Sequence, residues 1–319
     1  MRIETDAKIE RRIENIPARK KIVPRFDLQK GYKVDQPQVE VGLNAFSFND
    51  ELIDYAKGLG GGLSVFDLID FCALHNIKAL DLTAYYLIGY PNVPADNYLF
   101  EIKRYARKRN IHLSGTGVWN DFADPDPQRR KYFVQLIKNW IEASSKMGIE
   151  VIRVFSGVPP EGYTEEKRPE IVRQIVECLK ECAVHAGKYG IMIGLQHHAD
   201  MLRTADETIE MIKKIDSPWV AVILDTGNLI SEDPYADMDK LMPYVISWQL
   251  KESVFGWNLS VRTDLKRIMQ IIRKHNYRGY LPVETLNTGI QNIDELKNFI
   301  EKEDIVFRSF LPHLSELND

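Results

Sequence analysis

The sequence predicts an α/β protein that forms a single (β/α)8 TIM barrel with an N-terminal extension. Eight short apolar or β-branched runs recur between residues 41 and 286, and amphipathic segments separate them. Eight strand–helix units fit within about 260 residues, which is the usual size of a closed parallel barrel. An open doubly wound sheet is the alternative, but no Gly-rich phosphate loop follows the first run.

The predicted strands are apolar enough to be covered on both faces, as in a parallel sheet. Between them, residues 166–190 have apolar side chains at helical spacing, and Gly190 is a plausible helix stop. The segment 204–215 opens with Thr204 followed by Glu207, a capping-box pattern. A third amphipathic helix is predicted over residues 264–276. The eight strand runs are 41–48, 79–87, 111–119, 151–157, 191–198, 220–228, 245–253 and 280–286.

Composition excludes several classes of function. Hydrophobic residues make up 44% and charged residues 28%, and the formal net charge is -4, so no general basic field attracts nucleic acid. No apolar run approaches the roughly 18 residues of a membrane helix, and the charged N-terminus is unlike a secretory signal. Three cysteines are too few for a disulfide framework, so we expect a cytoplasmic protein.

The repeat divides the chain into an extension (1–40), the barrel (41–300) and a C-terminal tail (301–319). Residues 1–30 carry nine Lys and Arg against five Asp and Glu. Aromatic residues are sparse there, which disfavours an arm that binds nucleic acid. We expect this arm either to cap the barrel floor or to cross to a second subunit in a homo-oligomer.

Polar side chains end four consecutive predicted strands, and such strand ends converge on one mouth of a barrel. Residues two apart on a strand point the same way, so Gln196 and His198 should share a face, as should Gln249 and Lys251. Asp225 and Glu284 each follow an apolar run, so both carboxylates should be buried. Two buried carboxylates need a cation, a proton or a basic partner. A divalent metal is one solution, and Arg153 or Lys251 is another. The polar strand-end residues are Gln196 and His198, Asp225 and Asn228, Gln249 and Lys251, and Glu284.

Five motifs in this order resemble the xylose isomerase-like barrels, a family that includes ketose 3-epimerases and inosose dehydratases. They are RVFSG, GLQHH, ILDTGN, WQLKES and PVE, on the fourth to eighth predicted strands, and the resemblance covers roughly residues 40–300. It implies a divalent metal held by Glu, Asp, His and Glu. Asp225 and Glu284 match this pattern, whereas Gln196 stands where a Glu is expected and Gln249 where a His is expected.

The two amides weaken the expected metal site and change the expected chemistry. The oxygens of Gln196, Asp225, Gln249 and Glu284 suit Mg²⁺, Mn²⁺ or Ca²⁺ better than Zn²⁺, with binding weak or lost. An amide cannot act as a base at neutral pH, so Glu284 is the expected base, with His198 or Lys251 as the acid.

The expected activity is that of a sugar isomerase or epimerase, which moves a proton next to a carbonyl. A keto-sugar lyase or dehydratase and a catalytically weakened sugar-binding barrel are the alternatives. A DNA-repair endonuclease, which shares the resemblance, needs more His and carboxylate ligands than this mouth offers. Trp119, Arg153 and Asn228 are the expected contacts to a sugar-like substrate.

Overall fold

The computed structural model describes residues 39–59, 61–198, 200–251, 253–255 and 261–285. Eight strands, each hydrogen-bonded in parallel to its neighbours in sequence order, close into a barrel in which β8 pairs with β1. The predicted (β/α)8 barrel is therefore confirmed. The strands are β1 Val39–Asn44, β2 Ala79–Asp81, β3 His112–Gly117, β4 Val151–Phe155, β5 Met192–Gln196, β6 Val220–Asp225, β7 Val245–Lys251 and β8 Gly279–Glu284.

Helices connect the strands and cover the outside of the barrel. Trp140 and Trp248 are among the largest fully buried side chains, and they belong to one core shared by strands and helices. The helices of the described residues are α1 Asn49–Ala56, α2 Val65–Leu74, α3 Asp96–Lys108, α4 Pro127–Met147, α5 Arg168–Tyr189, α6 Ala205–Ile215, α7 Pro234–Leu241 and α8 Leu265–Lys274.

The helix signals in the sequence mark the helix ends. Thr204 accepts a hydrogen bond from the Glu207 backbone N–H while the Glu207 side chain accepts one from Thr204, which forms the predicted capping box at the start of α6. Gly190 ends α5 with a φ of 67°, a left-handed conformation that glycine adopts at little cost. No helix of the described residues is long and apolar enough to cross a membrane.

Every strand ends before its predicted run does, and β1 and β2 fall furthest short. The chain turns into short 3₁₀ segments at Ala45–Phe48 and Ala84–Tyr86. In the first, the Asn44 side chain accepts a hydrogen bond from the Phe46 backbone N–H and so caps the turn. Ala45 and Phe48 in the first turn, and Ala84 and Tyr86 in the second, still enter the core, which is why hydrophobicity alone overestimated these strands.

The proposed N-terminal arm and C-terminal tail lie outside the described residues. The barrel itself begins at Val39, two positions before the expected boundary. The arm's expected role in a homo-oligomer stays a prediction.

Candidate functional site

The carboxylate of Asp225 is the centre of the polar network at the carboxyl ends of the strands. It is fully buried at the end of β6. Its Oδ1 accepts the Gly227 backbone N–H at 2.9 Å. Its Oδ2 accepts Gln196 Nε2 at 2.5 Å and Asn228 Nδ2 at 2.6 Å, and Lys251 Nζ lies 3.1 Å away. Each oxygen of an ionised carboxylate has about two lone pairs, so the three donors on Oδ2 use that oxygen fully, whereas Oδ1 has one donor.

Lys251 joins this carboxylate to a second one. It ends β7, and its backbone pairs with Glu284 at the end of β8. Its buried Nζ lies 3.1 Å from Asp225 Oδ2 and 3.0 Å from Glu284 Oε1. The other oxygen of Glu284 accepts no hydrogen bond from the described residues. One lysine thus bridges both carboxylates, and the second Glu284 oxygen has no partner among the described residues.

The amide of Gln196 has an orientation that its neighbours determine. Nε2 donates to Asp225 Oδ2 and, at 2.6 Å, to Gln249 Oε1. Oε1 accepts Arg153 Nη1 at 3.4 Å. Rotating the amide by 180° would set its oxygen against a carboxylate and its nitrogen against a guanidinium, which electrostatics disfavours. Gln196 therefore presents a donor, and not an oxygen, to Asp225.

Arg153 lies inside the barrel because β3 makes room for it. A Cβ at Gly117 would stand 2.4 Å from Arg153 Nε, so any larger residue there would displace the guanidinium. Arg153 Nη2 donates to the Tyr85 hydroxyl at 2.7 Å, and the guanidinium carbon lies 4.4 Å from the Phe155 ring centroid. The side chain is a fixed cation in the wall of the site.

Asp81 is a member of the site that the sequence analysis missed. It ends β2, is 4% exposed, and accepts no hydrogen bond from the described residues. A Cβ at Gly115 would meet its Oδ2 at 2.8 Å, so the glycine makes space for it. Burial raises the pKa of Asp81 to about 6, although Arg153 opposes the shift, and repulsion from Glu284 adds to it. An acidic residue after an apolar run, as at Asp225, was the signal that could have found it.

The two bridged carboxylates differ in proton affinity. Burial alone would raise the pKa of Asp225, but Lys251, with smaller contributions from His197, His198 and the Gly227 backbone N–H, outweighs burial and holds that pKa below the usual range. Burial also raises the pKa of Glu284; there Lys251 offsets it incompletely, and repulsion from Asp225 adds to the rise. Environments that separate two carboxyl pKa values in this way are typical of acid–base sites.

The two histidines after β5 have different surroundings. His197 is buried, and its Nε2 accepts the Asp225 backbone N–H at 3.2 Å, so it supports the strand end. His198 is exposed overall, but its ring packs 4.8 Å from the Phe155 ring. Partial burial, reinforced by the nearby cations, lowers the pKa of His198 to about 4 and leaves the imidazole neutral at pH 7. A neutral imidazole is a weak proton donor, which makes it a poor acid.

The three residues expected to contact a substrate have different surroundings. Arg153 is in the network, and Asn228 is bound to Asp225. Trp119 follows β3 and is 50% exposed. It borders a cavity of about 600 Å³ lined also by Tyr90, Pro91, Arg129, Tyr132, Phe133 and Leu136.

The side chains present do not fit a divalent metal as they are arranged. Three donors crowd Asp225 Oδ2, Gln196 offers nitrogen, and the Lys251 ammonium lies between the two carboxylates. In the described part of the chain, no group of three or more His, Cys, Asp or Glu side chains could hold a metal ion. The four expected ligands do come together, but as a network of amides, carboxylates and one lysine.

Asp81→Asn should stabilise the protein near neutral pH. Below the unfolded pKa of about 4, Asp81 is protonated in both states, so the variant gains nothing. As pH rises towards about 6, the unfolded chain ionises while the folded site retains its proton, and wild-type stability falls. The gain in unfolding free energy should therefore grow between pH 4 and 6 and then level off. Urea unfolding of both proteins across this range measures it.

Asp206→Asn is the matched control, because Asp206 is an exposed residue paired with Lys240 on the surface. Its effect should stay within about 0.5 kcal/mol at each pH. A loss of stability in Asp81→Asn at pH 7 would show that the ionised carboxylate is favourable to the fold.

Solved structures with the same fold cover most of this chain. Comparison with D-psicose 3-epimerase with D-tagatose from Clostridium cellulolyticum H10 gives a TM-score of 0.69 at 17% identity, covering 86% of this chain and 99% of that one. A D-tagatose 3-epimerase-like protein gives 0.65 at 19% identity, covering 88% and 100%. The probable 3-DHS dehydratase AsbF from Bacillus anthracis gives 0.61 at 12%, covering 84% and 98%.

At these identities the structural comparisons establish the fold alone. No curated protein matches the sequence. The family model described as xylose isomerase-like TIM barrel matches residues 46–305, which is most of the chain. The resemblance carried by the strand-end motifs is thereby confirmed, and the chain belongs to the xylose isomerase-like TIM barrel family.

Proposed function

We propose that this barrel is a sugar isomerase or epimerase that moves a proton at the carbon next to the carbonyl of a keto-sugar or sugar-derived ketone. The observation that carries the proposal is the position of Glu284. One of its oxygens is held by Lys251 while the other has no partner among the described residues. A buried carboxylate with one available oxygen and a fixed orientation has the geometry of a general base.

The surrounding charges suit the intermediate of such a reaction. When Glu284 takes the proton, the C–H electron pair moves into the C–C bond and the carbonyl oxygen becomes negative. Lys251 and Arg153 are buried cations that would stabilise this enolate oxygen without reorganising. Delivering that proton to the former carbonyl carbon, while the hydroxyl proton on the first carbon passes to the former carbonyl oxygen, completes an isomerisation. Protonating the first carbon on its opposite face completes an epimerisation.

Asp81 supports a second carboxyl role. It is buried, lacks a hydrogen bond from the described residues, and lies within electrostatic range of Arg153 and Glu284. In its protonated form it would donate a proton that Glu284 does not supply. The same donor would also protonate a departing hydroxyl, so a lyase or dehydratase reaction at this site is the second candidate. Names of structural neighbours include both epimerases and a probable dehydratase.

Exchange of substrate hydrogen with solvent tests the proposal before any product is known. The protein is incubated in D2O with psicose, tagatose, fructose, ribulose, 3-keto-glucosides and their phosphorylated forms. NMR and mass spectrometry then follow deuterium at the carbon next to the carbonyl. Catalysed exchange supports proton abstraction, and loss of water identifies the lyase. Binding without exchange, seen as a ligand-dependent rise in Tm, favours the sugar-binding barrel.

Trp119→Ala should weaken substrate capture more than turnover. We place Trp119 at the rim, where its half-exposed ring packs against a sugar face. Losing such an aromatic contact costs about 1 kcal/mol, so KM should rise about fivefold while kcat changes little. Steady-state kinetics on the best substrate of the exchange screen measures both constants. Trp119→Phe retains an apolar ring and is the control; an equal loss in both variants would contradict a stacking role.

A further inference from the structure

We propose that the Lys251 ammonium is the resident cation of this site and that it takes the position where the family resemblance implies a divalent metal. Its Nζ lies 3.1 Å from Asp225 Oδ2 and 3.0 Å from Glu284 Oε1, between the two anionic ligands that such a metal needs. The lysine side chain is about 6% exposed, so it belongs to the protein interior. The protein would then bind no divalent metal at this position.

The first supporting step is the crowding of Asp225 Oδ2. This oxygen already takes Gln196, Asn228 and Lys251, whereas Oδ1 takes the Gly227 N–H. A metal that bound between Oδ2 and Glu284 would have to displace at least one of the three donors on Oδ2. The bonds to an ionised acceptor are strong ones, so displacement is costly.

The second step is the chemistry of the two amides. The resemblance implies an anionic and an imidazole ligand where this chain has Gln196 and Gln249. Gln196 Nε2 donates to Gln249 Oε1 at 2.6 Å, so each amide uses the other. Neither contributes negative charge, and Gln196 would have to turn its oxygen away from Arg153 to reach a metal. The two glutamines and Lys251 thus all disfavour the binding of a metal ion.

The third step is charge. Asp225 and Glu284 together carry two negative charges when ionised, and Lys251 already balances one of them with Arg153 close by. A divalent ion beside the ammonium would be repelled by it, and repulsion at such short range inside a protein is large. Metal and ammonium are therefore alternatives for one position.

The consequence for chemistry rests on the proposed function, whereas the occupancy of the site does not. A lysine ammonium has three N–H donors, and the two carboxylates take two of them. No described residue accepts the third N–H, which would be left for a substrate oxygen. In this arrangement the ammonium would stabilise the enolate oxygen by charge and hydrogen bonding.

Metal binding to the wild-type chain is the primary test, and it needs no substrate. Elemental analysis of the purified full-length protein should show no stoichiometric Mg, Mn, Ca or Zn. Titration with Mn²⁺, followed by the EPR signal of the free ion, should give no site with a Kd below about 1 mM. One equivalent of bound metal, or a Kd in the micromolar range that Mg²⁺ competes for, would overturn the proposal.

Removing the ammonium should open the position to a metal. Lys251→Ala should bind Mn²⁺ at least tenfold more tightly than wild type, and adding Gln196→Glu should tighten binding further because it supplies an anionic ligand. Bound Mn²⁺ should also raise the Tm of these variants. Lys240→Ala removes an exposed lysine paired with Asp206 and should leave Mn²⁺ binding unchanged.

Folded Lys251→Ala and double variants that bind Mn²⁺ no better than wild type would contradict the proposal, because the lysine would not be what keeps the metal out. If the variants do not fold, the wild-type measurement decides the matter alone. None of these readouts depends on turnover. A failed exchange screen would therefore count against the proposed function and leave the cation assignment intact.

Discussion

Glu284→Gln is expected to reduce solvent deuterium exchange by on the order of 10²-fold or more, because it removes the general base. The amide retains the size of the side chain and its oxygen can still accept from Lys251. It cannot take a proton from carbon at neutral pH. The loss should appear in kcat and in kcat/KM, with substrate binding largely retained. Exchange rates measured by NMR on the best keto-sugar provide the comparison.

Glu210→Gln is the matched control for this change. Glu210 lies on α6 and pairs with Lys214 at the surface. The Glu210→Gln variant should therefore exchange substrate hydrogen at the wild-type rate. His198→Ala should cost less than Glu284→Gln, because a neutral imidazole orients substrate without supplying the proton. Near wild-type exchange in Glu284→Gln would exclude Glu284 as the base and direct attention to Asp81.

The fold was predictable because its signals are local and repeated. Eight apolar runs, the Thr204 capping box and the stop at Gly190 each reflect a short-range preference that the barrel preserves. The strand ends were less predictable. In β1 and β2 the chain turns into 3₁₀ segments whose apolar residues still enter the core, so burial continues after the strand has ended.

Which residues lie at the site was also largely predictable. The alternation of inward-facing and outward-facing positions along each strand, together with the strand order, places residues without any knowledge of side-chain contacts. Gln196, Asp225, Gln249 and Glu284 come together as their strand-end positions indicate. Lys251 on β7 bridges the carboxylates of Asp225 on β6 and Glu284 on β8, as its inward-facing position in the strand suggested. What the sequence left open was which cation faces the two carboxylates.

The orientations of the side chains decide which cation faces Asp225 and Glu284. These orientations depend on contacts between several strands. The amide of Gln196 turns its nitrogen to Asp225 because Arg153 attracts its oxygen from the other side. The position of Arg153 depends in turn on a glycine in β3, since Gly117 leaves the space it fills. Asp81 was overlooked for a similar reason. Its importance comes from Arg153 and Glu284, which are distant in sequence.

Lys251→Met should lower the unfolding free energy at pH 7 by about 3–5 kcal/mol, the usual cost of removing one partner from a buried ion pair. Methionine approximates the volume of the lysine stem, so little of the loss should come from a cavity. The cost arises because Asp225 and Glu284 would face each other, buried, without the bridging cation. Urea unfolding, with the midpoint concentration and the m-value determined together, measures this loss.

The pH dependence of this loss has a definite sign. In wild type, Lys251 helps hold the pKa of Asp225 low, which stabilises the fold above the unfolded carboxyl pKa, and this contribution fades as pH falls through the lowered value. In Lys251→Met both carboxyls should take up protons at higher pH. The deficit relative to wild type should therefore be largest near pH 7 to 8 and shrink as the pH is lowered towards 4.

A double-mutant cycle separates the bridge from general disruption of the core. Adding Asp225→Asn to Lys251→Met removes one of the stranded charges, so the double variant should lose less than the sum of the single losses, by on the order of 1–3 kcal/mol. The same cycle on the exposed pair Lys240 and Asp206 should give a coupling below about 1 kcal/mol. Additive losses at Lys251 and Asp225, with no dependence on pH, would show that the lysine contributes packing and no charge compensation.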